Sequence, residues 1–421
     1  MKKTLLILYV LSSSIACTTA ETGNAAPAGQ TVTKENDGAE AILPAVPPAA
    51  SAARARRDSS SDADAGGALP PGNHLGVHPG FNPDNPPGLI ETMDARWGEL
   101  VDAGMEVARV FMDWRDLEPE LGTYNKDLLE QRLLEYSEQG LAIYLSIVSV
   151  DSEGLVVPED LMAGDEGYEL AGGISFDDPA VIDAYSTVLD WAVPVAEEHG
   201  VFAISVANEP DTRYLEDDPE FLFAVRNFVS AEADHIRLLS DTIHATMTLT
   251  MSSALSGDPD VRSMFDLLDA VSFNYGHSVS GDDWRRGESA MVAAMVDAAA
   301  GKPIYIQELM ANSEGPVNFL VDEADGNVAS EERQAEFFSW FLEKMAKVPN
   351  LRAAFVLQLV DWSPEVAAWY EDVFAQEGFA ALGARYRAVL EGLGLLSFPD
   401  GRAKPAFDVV LQGVARFARN R

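Results

Sequence analysis

Cysteine is almost absent from this chain. The 421 residues include one cysteine, Cys17, and six histidines. A disulfide within the chain is therefore excluded, and so is a zinc site built from several cysteines. The sequence also lacks a Cys/His ligand set, and it lacks the nucleophile elbow of a Ser-His-Asp hydrolase. We expect neither a metal nor a cofactor.

Basic residues are also scarce. Lysine and arginine total 29 against 68 aspartates and glutamates, which gives a formal net charge of −39. Such a charge disfavours nucleic acid and other polyanions, and it favours solubility and neutral or cationic partners. A salt-adapted or very soluble surface explains it better than a role in recognition. We expect a monomer.

The N-terminus has the pattern of a secretory signal. Lys2 and Lys3 precede an apolar stretch, residues 5–11, that is too short to span a membrane. Residues 14–17, Ser-Ile-Ala-Cys, resemble a bacterial lipoprotein box. We therefore expect residues 1–16 to be a signal peptide and Cys17 to be lipidated at the cell envelope. The alternative is cleavage after Ala20, which would leave a periplasmic or extracellular protein.

Residues 17–72 are rich in Ala, Pro, Ser, Gly and Asp and contain hardly any aromatic residues. Such a segment cannot bury enough apolar surface to order itself. We expect a disordered linker that tethers one folded domain, residues 73–421, to the anchor. A membrane contact is expected only through that anchor.

Within residues 73–421, a recurring junction consists of a helical pattern, a glycine and then an apolar strand. The glycines are Gly104, Gly140, Gly200 and Gly301, and each is placed where a left-handed helix C-cap is expected. Continuous apolar strands separated by helices predict βαβ units and a parallel sheet. The predicted strands are 75–77, 107–112, 142–148, 202–207, 246–251, 270–273, 303–307 and 353–359. Predicted helices include 126–139, 178–199, 219–239, 291–300 and 330–348.

Eight such units predict an α/β fold, a (β/α)8 TIM barrel. A doubly wound sheet is the alternative, but the glycine-rich phosphate loop typical of that fold does not follow the first strand. In a (β/α)8 barrel, the chemistry lies where strands end. The residues at those positions are His78, Arg109, Trp114, Asp151, Asn208, Glu209, Ser252, Asn274, Tyr275, His277, Glu308 and Trp362. Amides and carboxylates bind hydroxyl groups, and aromatic rings stack on sugars.

Five segments resemble clan A glycoside hydrolases, the cellulase, mannanase and β-xylosidase type of barrel. They are residues 107–125 around Arg109, Asn208-Glu209-Pro210, Glu308, Trp362 and the closing segment 393–406. Between residues 75 and 407, the resemblance implies a retaining hydrolase of β-glycosidic bonds. Glu209 would be the acid/base and Glu308 the nucleophile, with the two carboxylates ~5–5.5 Å apart.

The same resemblance implies the remaining roles. Arg109 would keep Glu308 ionised, Asn208 would bind the sugar 2-hydroxyl, and Tyr275 would hydrogen-bond Glu308. Trp362 would be a sugar platform. His78, His277 and Trp114 are further candidates for substrate contact, although Trp114 equally fits loop packing and the histidines fit loop hydrogen bonding.

Two other functions remain open from the sequence. One is a glycan-binding surface lipoprotein without catalysis, and the other is a transglycosylase with the same residues. The segment after the third strand lacks the histidine that many clan A members carry there. The sugar, the linkage and endo or exo action do not follow from the sequence.

Overall fold

The computed structural model describes residues 69–420, apart from 81, 83–84, 153, 165–168, 215–217, 257–258, 320–326 and 377–378. The predicted signal peptide, Cys17 and nearly all of the predicted linker lie outside the described residues and stay predictions. No helix among the described residues is both long enough and apolar enough to cross a membrane.

Eight parallel strands form one sheet. They are β1 His74–Val77, β2 Val107–Asp113, β3 Ala142–Val148, β4 Val201–Asn208, β5 His244–Thr250, β6 Val271–Gly276, β7 Ile304–Met310 and β8 Leu351–Val356. Hydrogen bonding runs β1-β8-β7-β6-β5-β4-β3-β2. The two end strands also approach each other, since a Cβ on Gly76 would lie 2.7 Å from the Val107 carbonyl oxygen. The sheet is therefore a nearly closed barrel, which confirms the predicted (β/α)8 fold.

Helices surround the strands. They are α1 Pro87–Asp102, α2 Trp114–Leu117, α3 Lys126–Ser137, α4 Pro179–Glu198, α5 Asp211–Tyr214, α6 Pro219–Leu239, α7 Met251–Ser256, α8 Pro259–Asp266, α9 Trp284–Ala299, α10 Glu331–Met345, α11 Pro364–Gln376, α12 Ala380–Leu390 and α13 Pro405–Arg419. A two-stranded hairpin, Val150–Asp151 with Gly154–Leu155, follows β3. Short 3₁₀ turns cover Glu159–Leu161 and Ala171–Gly173.

Local signals fix the helix ends. Asp178 caps α4 by accepting a hydrogen bond from the Ala180 N–H, and Ser330 caps α10 by accepting from the Arg333 N–H. These side chains satisfy backbone donors that have no partner inside the helix. At the opposite ends, Gly140 and Gly200 have φ of 75° and 74°, as the predicted left-handed C-caps require.

The barrel interior is layered. At the end of the barrel where the strands begin, Tyr144, Phe202 and Tyr305 pack edge to face with ring centroids 5.3–6.1 Å apart. Above them lies a polar layer in which Gln307 Oε1 accepts hydrogen bonds from Ser146 Oγ at 2.8 Å and Thr248 Oγ1 at 2.7 Å. Buried polar groups are stable only when hydrogen-bonded in this way.

One buried carboxylate lies in the helix layer. Glu232 of α6 is fully buried and accepts hydrogen bonds from Ser186 Oγ of α4 at 3.1 and 3.0 Å. Burial raises the pKa of Glu232 to about 8, against the hydrogen bonds from Ser186. Because the folded-state pKa exceeds the unfolded value, the folded state loses stability as pH rises through the folded pKa.

Glu232→Gln is therefore expected to stabilise the protein at high pH. Near pH 4, below the unfolded pKa, both states largely hold the proton, so the variant and the wild type should unfold at similar urea concentrations. At pH 8.5 the variant should gain several kcal/mol, since the rise of the pKa from 4.5 to about 8 corresponds to about 5 kcal/mol at about 1.4 kcal/mol per unit. Glu198→Gln, an exposed substitution on α4, is the control. A gain that does not depend on pH would contradict this account.

Candidate active site

Glu209 follows β4 in a strained backbone conformation. Its φ is 51°, in the left-handed region, although its N–H still reaches the Thr248 carbonyl oxygen at 2.8 Å. A residue other than glycine pays roughly 1–2 kcal/mol for this conformation. Such strain is concentrated at functional sites, where the surrounding structure enforces it.

Both glutamate-bearing strands contain an irregularity in register. Between Ser205 and Asn208, β4 advances three residues while β5 advances two. Between Ile306 and Glu308, β7 advances two residues while β6 advances one. Each extra residue is a β-bulge, and bulges redirect side chains near active sites. As a result, the adjacent side chains of Gln307 and Glu308 both point into the barrel. Gln307 lies in the interior polar layer, and Glu308 lies at the mouth.

Glu308 is paired with Arg109. Arg109 Nη2 donates to Glu308 Oε1 at 2.8 Å, and the guanidinium lies 5.0 Å from the centroid of the Phe111 ring. The arginine side chain is 1% exposed and that of Glu308 is 17% exposed. Burial raises the pKa of Glu308, and the charge of Arg109 opposes that rise. The predicted contact between the two residues is present.

Glu209 has a different environment. It is buried, and its Oε1 accepts a hydrogen bond from Asn274 Nδ2 at 3.0 Å. Burial raises the pKa of Glu209 well above its usual range, and the negative charges of Glu308 and Asp211 raise it further. Since Arg109 hydrogen-bonds Glu308 and not Glu209, Glu209 holds its proton to a higher pH than Glu308 does.

Asn208 connects the two glutamate strands. Its Oδ1 accepts from Gln307 Nε2 at 2.9 Å and from Asn274 Nδ2 at 3.2 Å. Its Nδ2 donates to Asp151 Oδ1 at 2.8 Å. The amide is thus held from β6, from β7 and from the hairpin after β3.

The structure corrects the expectation for Tyr275. Asn274 is paired with Glu308 across β6 and β7, and Tyr275 is paired with Leu309. Neighbouring strand residues point to opposite faces, so Tyr275 faces the helix layer. Its hydroxyl donates to Glu288 Oε2 at 2.6 Å. The predicted hydrogen bond to Glu308 is therefore wrong, and Asn274 occupies the mouth instead.

Two other candidates for substrate contact are also structural. Trp114 is fully buried; its Nε1 donates to Glu118 Oε2 at 2.8 Å, and its ring packs on Tyr185. A ring without accessible surface cannot stack on a sugar, so the loop-packing alternative is correct. His277 is buried between Glu288, at 2.7 Å, and Arg333, at 3.2 Å. Both ring nitrogens are engaged there, and the predicted substrate contact is wrong.

The last two candidates, His78 and Trp362, stay predictions. His78 follows β1 and is buried, and its Nδ1 accepts from the Gly80 N–H at 3.1 Å. Burial lowers the pKa of His78 well below its usual range, and Arg109 lowers it further, so the neutral ring carries its proton on Nε2. Trp362, after β8, is half-buried and lies edge-on to Tyr370 with centroids 5.7 Å apart.

Sequence reasoning assigned no role to Asn274, Asp151 or Gln307. The first two stand at strand ends, which is a usable signal. Gln307 precedes Glu308 directly, so strict alternation places it on the other face; only the bulge brings it to Asn208. Among the described residues, no three His, Cys, Asp or Glu side chains are grouped as potential metal ligands.

Comparisons with known proteins place this architecture among solved barrels. No protein-family model matches the chain, and no curated protein matches it by sequence. Solved structures do match. GH5_18 from Streptomyces cattleya in complex with GlcNAc has a TM-score of 0.56 at 15% identity, covering 82% of this chain and 80% of that one. GH5_18 from Bifidobacterium longum subsp. longum has a TM-score of 0.55 at 16% identity, covering 82% and 79%.

The shared feature is the (β/α)8 fold. A further structure, a variant of the same Bifidobacterium longum protein in complex with Manb1-4GlcNAc, has a TM-score of 0.55 at 16% identity over 82% of this chain and 78% of that one. At such identities the likeness concerns the barrel, and the chemistry has to be argued from the residues of this chain.

Proposed function

We propose that the protein is a retaining β-glycoside hydrolase in which Glu209 is the acid/base and Glu308 the nucleophile. The observation that carries the proposal is that two carboxylates at one barrel mouth, buried Glu209 and partly exposed Glu308, have different hydrogen-bond partners. Arg109 contacts Glu308, whereas Asn274 contacts Glu209. Paired carboxylates whose environments separate their pKa values are the usual basis for acid and nucleophile roles.

The proposed reaction is a double displacement. Ionised Glu308 attacks the anomeric carbon while the bond to the leaving oxygen breaks and Glu209 gives that oxygen its proton. Asn274 donates to Oε1 of Glu209, so the transferable proton resides on Oε2. In the second step, Glu209 takes a proton from water, the water oxygen attacks the anomeric carbon, and Glu308 is released.

Other residues at the mouth supply binding. Nδ2 of Asn208 carries two hydrogens, and one of them goes to Asp151; the other is available to the sugar 2-hydroxyl, where hydrogen bonds strengthen in the transition state. His78 and half-buried Trp362, which follow β1 and β8, would contact the sugar as well.

An activity screen tests the function. Structural neighbours hold GlcNAc and Manb1-4GlcNAc, so β-mannosyl and N-acetylglucosaminyl substrates belong in the first panel. The panel would also contain aryl β-glucosides, β-xylosides and β-uronides, with β-glucan, mannan and xylan polymers. Hydrolysis of one β-glycoside with retained configuration is expected. Saturable glycan binding without turnover would favour the glycan-binding alternative, and predominant transfer products at high acceptor concentration would favour a transglycosylase.

Arg109→Met tests the electrostatic part of the proposal. Burial raises the pKa of Glu308 and the charge of Arg109 opposes that rise, so removing the charge should raise the pKa further. The ascending limb of the kcat/KM profile, which follows ionisation of the nucleophile, should shift to higher pH by about one unit or more. Arg96→Met, which removes an exposed arginine paired with Glu99 on α1, should leave the limb in place. An unmoved limb in Arg109→Met would show that Arg109 does not tune Glu308.

A further inference from the structure

Among the described residues, Asp151 is the one carboxylate that accepts a hydrogen bond directly from the Asn208 amide. The amide oxygen already accepts two hydrogen bonds, from Gln307 and Asn274, which is its full capacity. Asp151 Oδ1 accepts one hydrogen of Nδ2 at 2.8 Å. No described residue accepts the second hydrogen, so Asn208 can offer a ligand only a donor.

Most partners in this hydrogen-bond network can both donate and accept. Gln307 is an amide, and its Oε1 is bonded to the hydroxyls of Ser146 and Thr248. Amides can flip and hydroxyls can rotate, so neither fixes the direction of a network. An ionised carboxylate only accepts. Because Asp151 only accepts, the Nδ2 side of Asn208 must face it. The Oδ1 of Asn208 then faces Gln307, which donates to it.

Asp151 is itself held in place. The residue pairs with Gly154 in the hairpin after β3, and its Oδ1 also accepts from the Ser152 N–H at 2.7 Å. Burial raises the pKa of Asp151, while the hydrogen bonds from Asn208 and Ser152 and the charge of Arg109 oppose that rise. Its charge in turn raises the pKa values of Glu209, Glu308 and Asp113.

We propose that Asp151 is a positioning residue that orients the Asn208 amide as a hydrogen-bond donor to the sugar 2-hydroxyl. The inference deepens the proposed function and rests on it. Asp151 acts through Asn208, so the loss of kcat/KM at each protein's pH optimum should be large only where the substrate has a 2-hydroxyl. A residue that merely stabilises the fold would affect all substrates alike.

Asp151→Asn tests this with two substrates. They are the 4-nitrophenyl β-glycoside that the wild type cleaves and its 2-deoxy analogue. The variant should lose about 10–100-fold in kcat/KM on the first, since a charge-assisted hydrogen bond that orients a transition-state contact is weakened. On the 2-deoxy analogue the two proteins should differ by less than about threefold. Asp160→Asn, the same change in the same loop after β3, is the control.

The pH profile gives a second readout. Among the described residues, the charged and titratable groups around Asp151 include Arg109, Asp113, Glu209 and Glu308. Removing the charge of Asp151 should lower the pKa values of Glu209 and Glu308, so both limbs of the kcat/KM profile should move to lower pH. A residue with a purely structural role would not move them.

The outcomes are separable. Equal losses on both substrates would overturn the inference, whether or not the limbs move, and would leave the proposed function intact. A wild type that hydrolyses no β-glycoside would overturn both. If Asp151→Asn melts well below the wild type, Asp151→Ser provides a second variant with a smaller side chain, and the same dependence on the 2-hydroxyl is expected of it; without that dependence the inference fails.

Discussion

Glu308→Ala is expected to abolish hydrolysis of every β-glycoside that the wild type cleaves. The variant lacks the carboxylate that attacks the anomeric carbon, while Glu209 still supplies a proton. Added azide should restore turnover of an activated aryl glycoside, because the small anion fits the space that the side chain leaves. Azide then replaces the nucleophile in a single displacement, so the product should be the α-glycosyl azide.

The control for Glu308→Ala is Glu365→Ala, an exposed glutamate at the start of α11, which should keep wild-type activity. Full activity of Glu308→Ala without azide would remove Glu308 from the mechanism. A β-glycosyl azide from this variant would mean that another group still forms the covalent intermediate.

Glu209→Ala is expected to show a different defect. Without its acid, the enzyme should lose about 10²–10⁴-fold on glycosides with poor leaving groups. An aryl glycoside with a good leaving group needs little protonation, so its first step should persist and the glycosyl-enzyme should accumulate. Azide should release that intermediate as the β-glycosyl azide, with the configuration opposite to the product of Glu308→Ala.

The pH dependence separates the roles further. In the wild type, the descending limb of the kcat/KM profile should report loss of the Glu209 proton, since burial and the charge of Glu308 raise the pKa of Glu209. Glu209→Ala should lose this limb on activated substrates and keep the ascending one. If the leaving-group dependence and the descending limb both remained, Glu209 would not be the acid.

Repetition along the sequence made the barrel predictable. Glycines such as Gly140 and Gly200 end helices, and this signal depends on only a few neighbouring residues, so it can be read from the sequence. The apolar runs after them became β3 and β4, with strand ends within about one residue of those predicted. Because parallel strands of a (β/α)8 barrel end at one face, the candidate site at Glu209 and Glu308 followed from the same pattern.

Details of the site did not follow, because they depend on register between distant strands. The bulges before Asn208 and Glu308 exist only in the paired sheet, and they decide which residues face the mouth. Strand β6 shows the consequence: Asn274 contacts Glu209, while Tyr275 contacts the helix layer. Alternation along a strand predicts that Asn274 and Tyr275 point to opposite faces of the sheet. It does not predict which of the two faces the barrel interior.

The aromatic residues were ambiguous for a related reason. Trp114 and Trp362 both follow strands, yet Trp114 is fully buried and Trp362 is half-buried. The two residues are of the same type, and each follows a barrel strand. The difference comes from helix α4, whose Tyr185 covers Trp114 with ring centroids 5.0 Å apart, and such a contact between distant segments cannot be read from the local sequence.

Labelling of the nucleophile tests the central claim most directly. The wild type would be incubated with the 2-deoxy-2-fluoro β-glycoside of the sugar that it cleaves, carrying a good leaving group, and digested for peptide mass spectrometry. The fluorine slows both steps, and the good leaving group lets the first proceed, so the covalent glycosyl-enzyme should accumulate. The account predicts one sugar on the peptide that contains Glu308, bonded to its carboxylate. A label on Glu209, or inverted product with no label on any peptide, would contradict it.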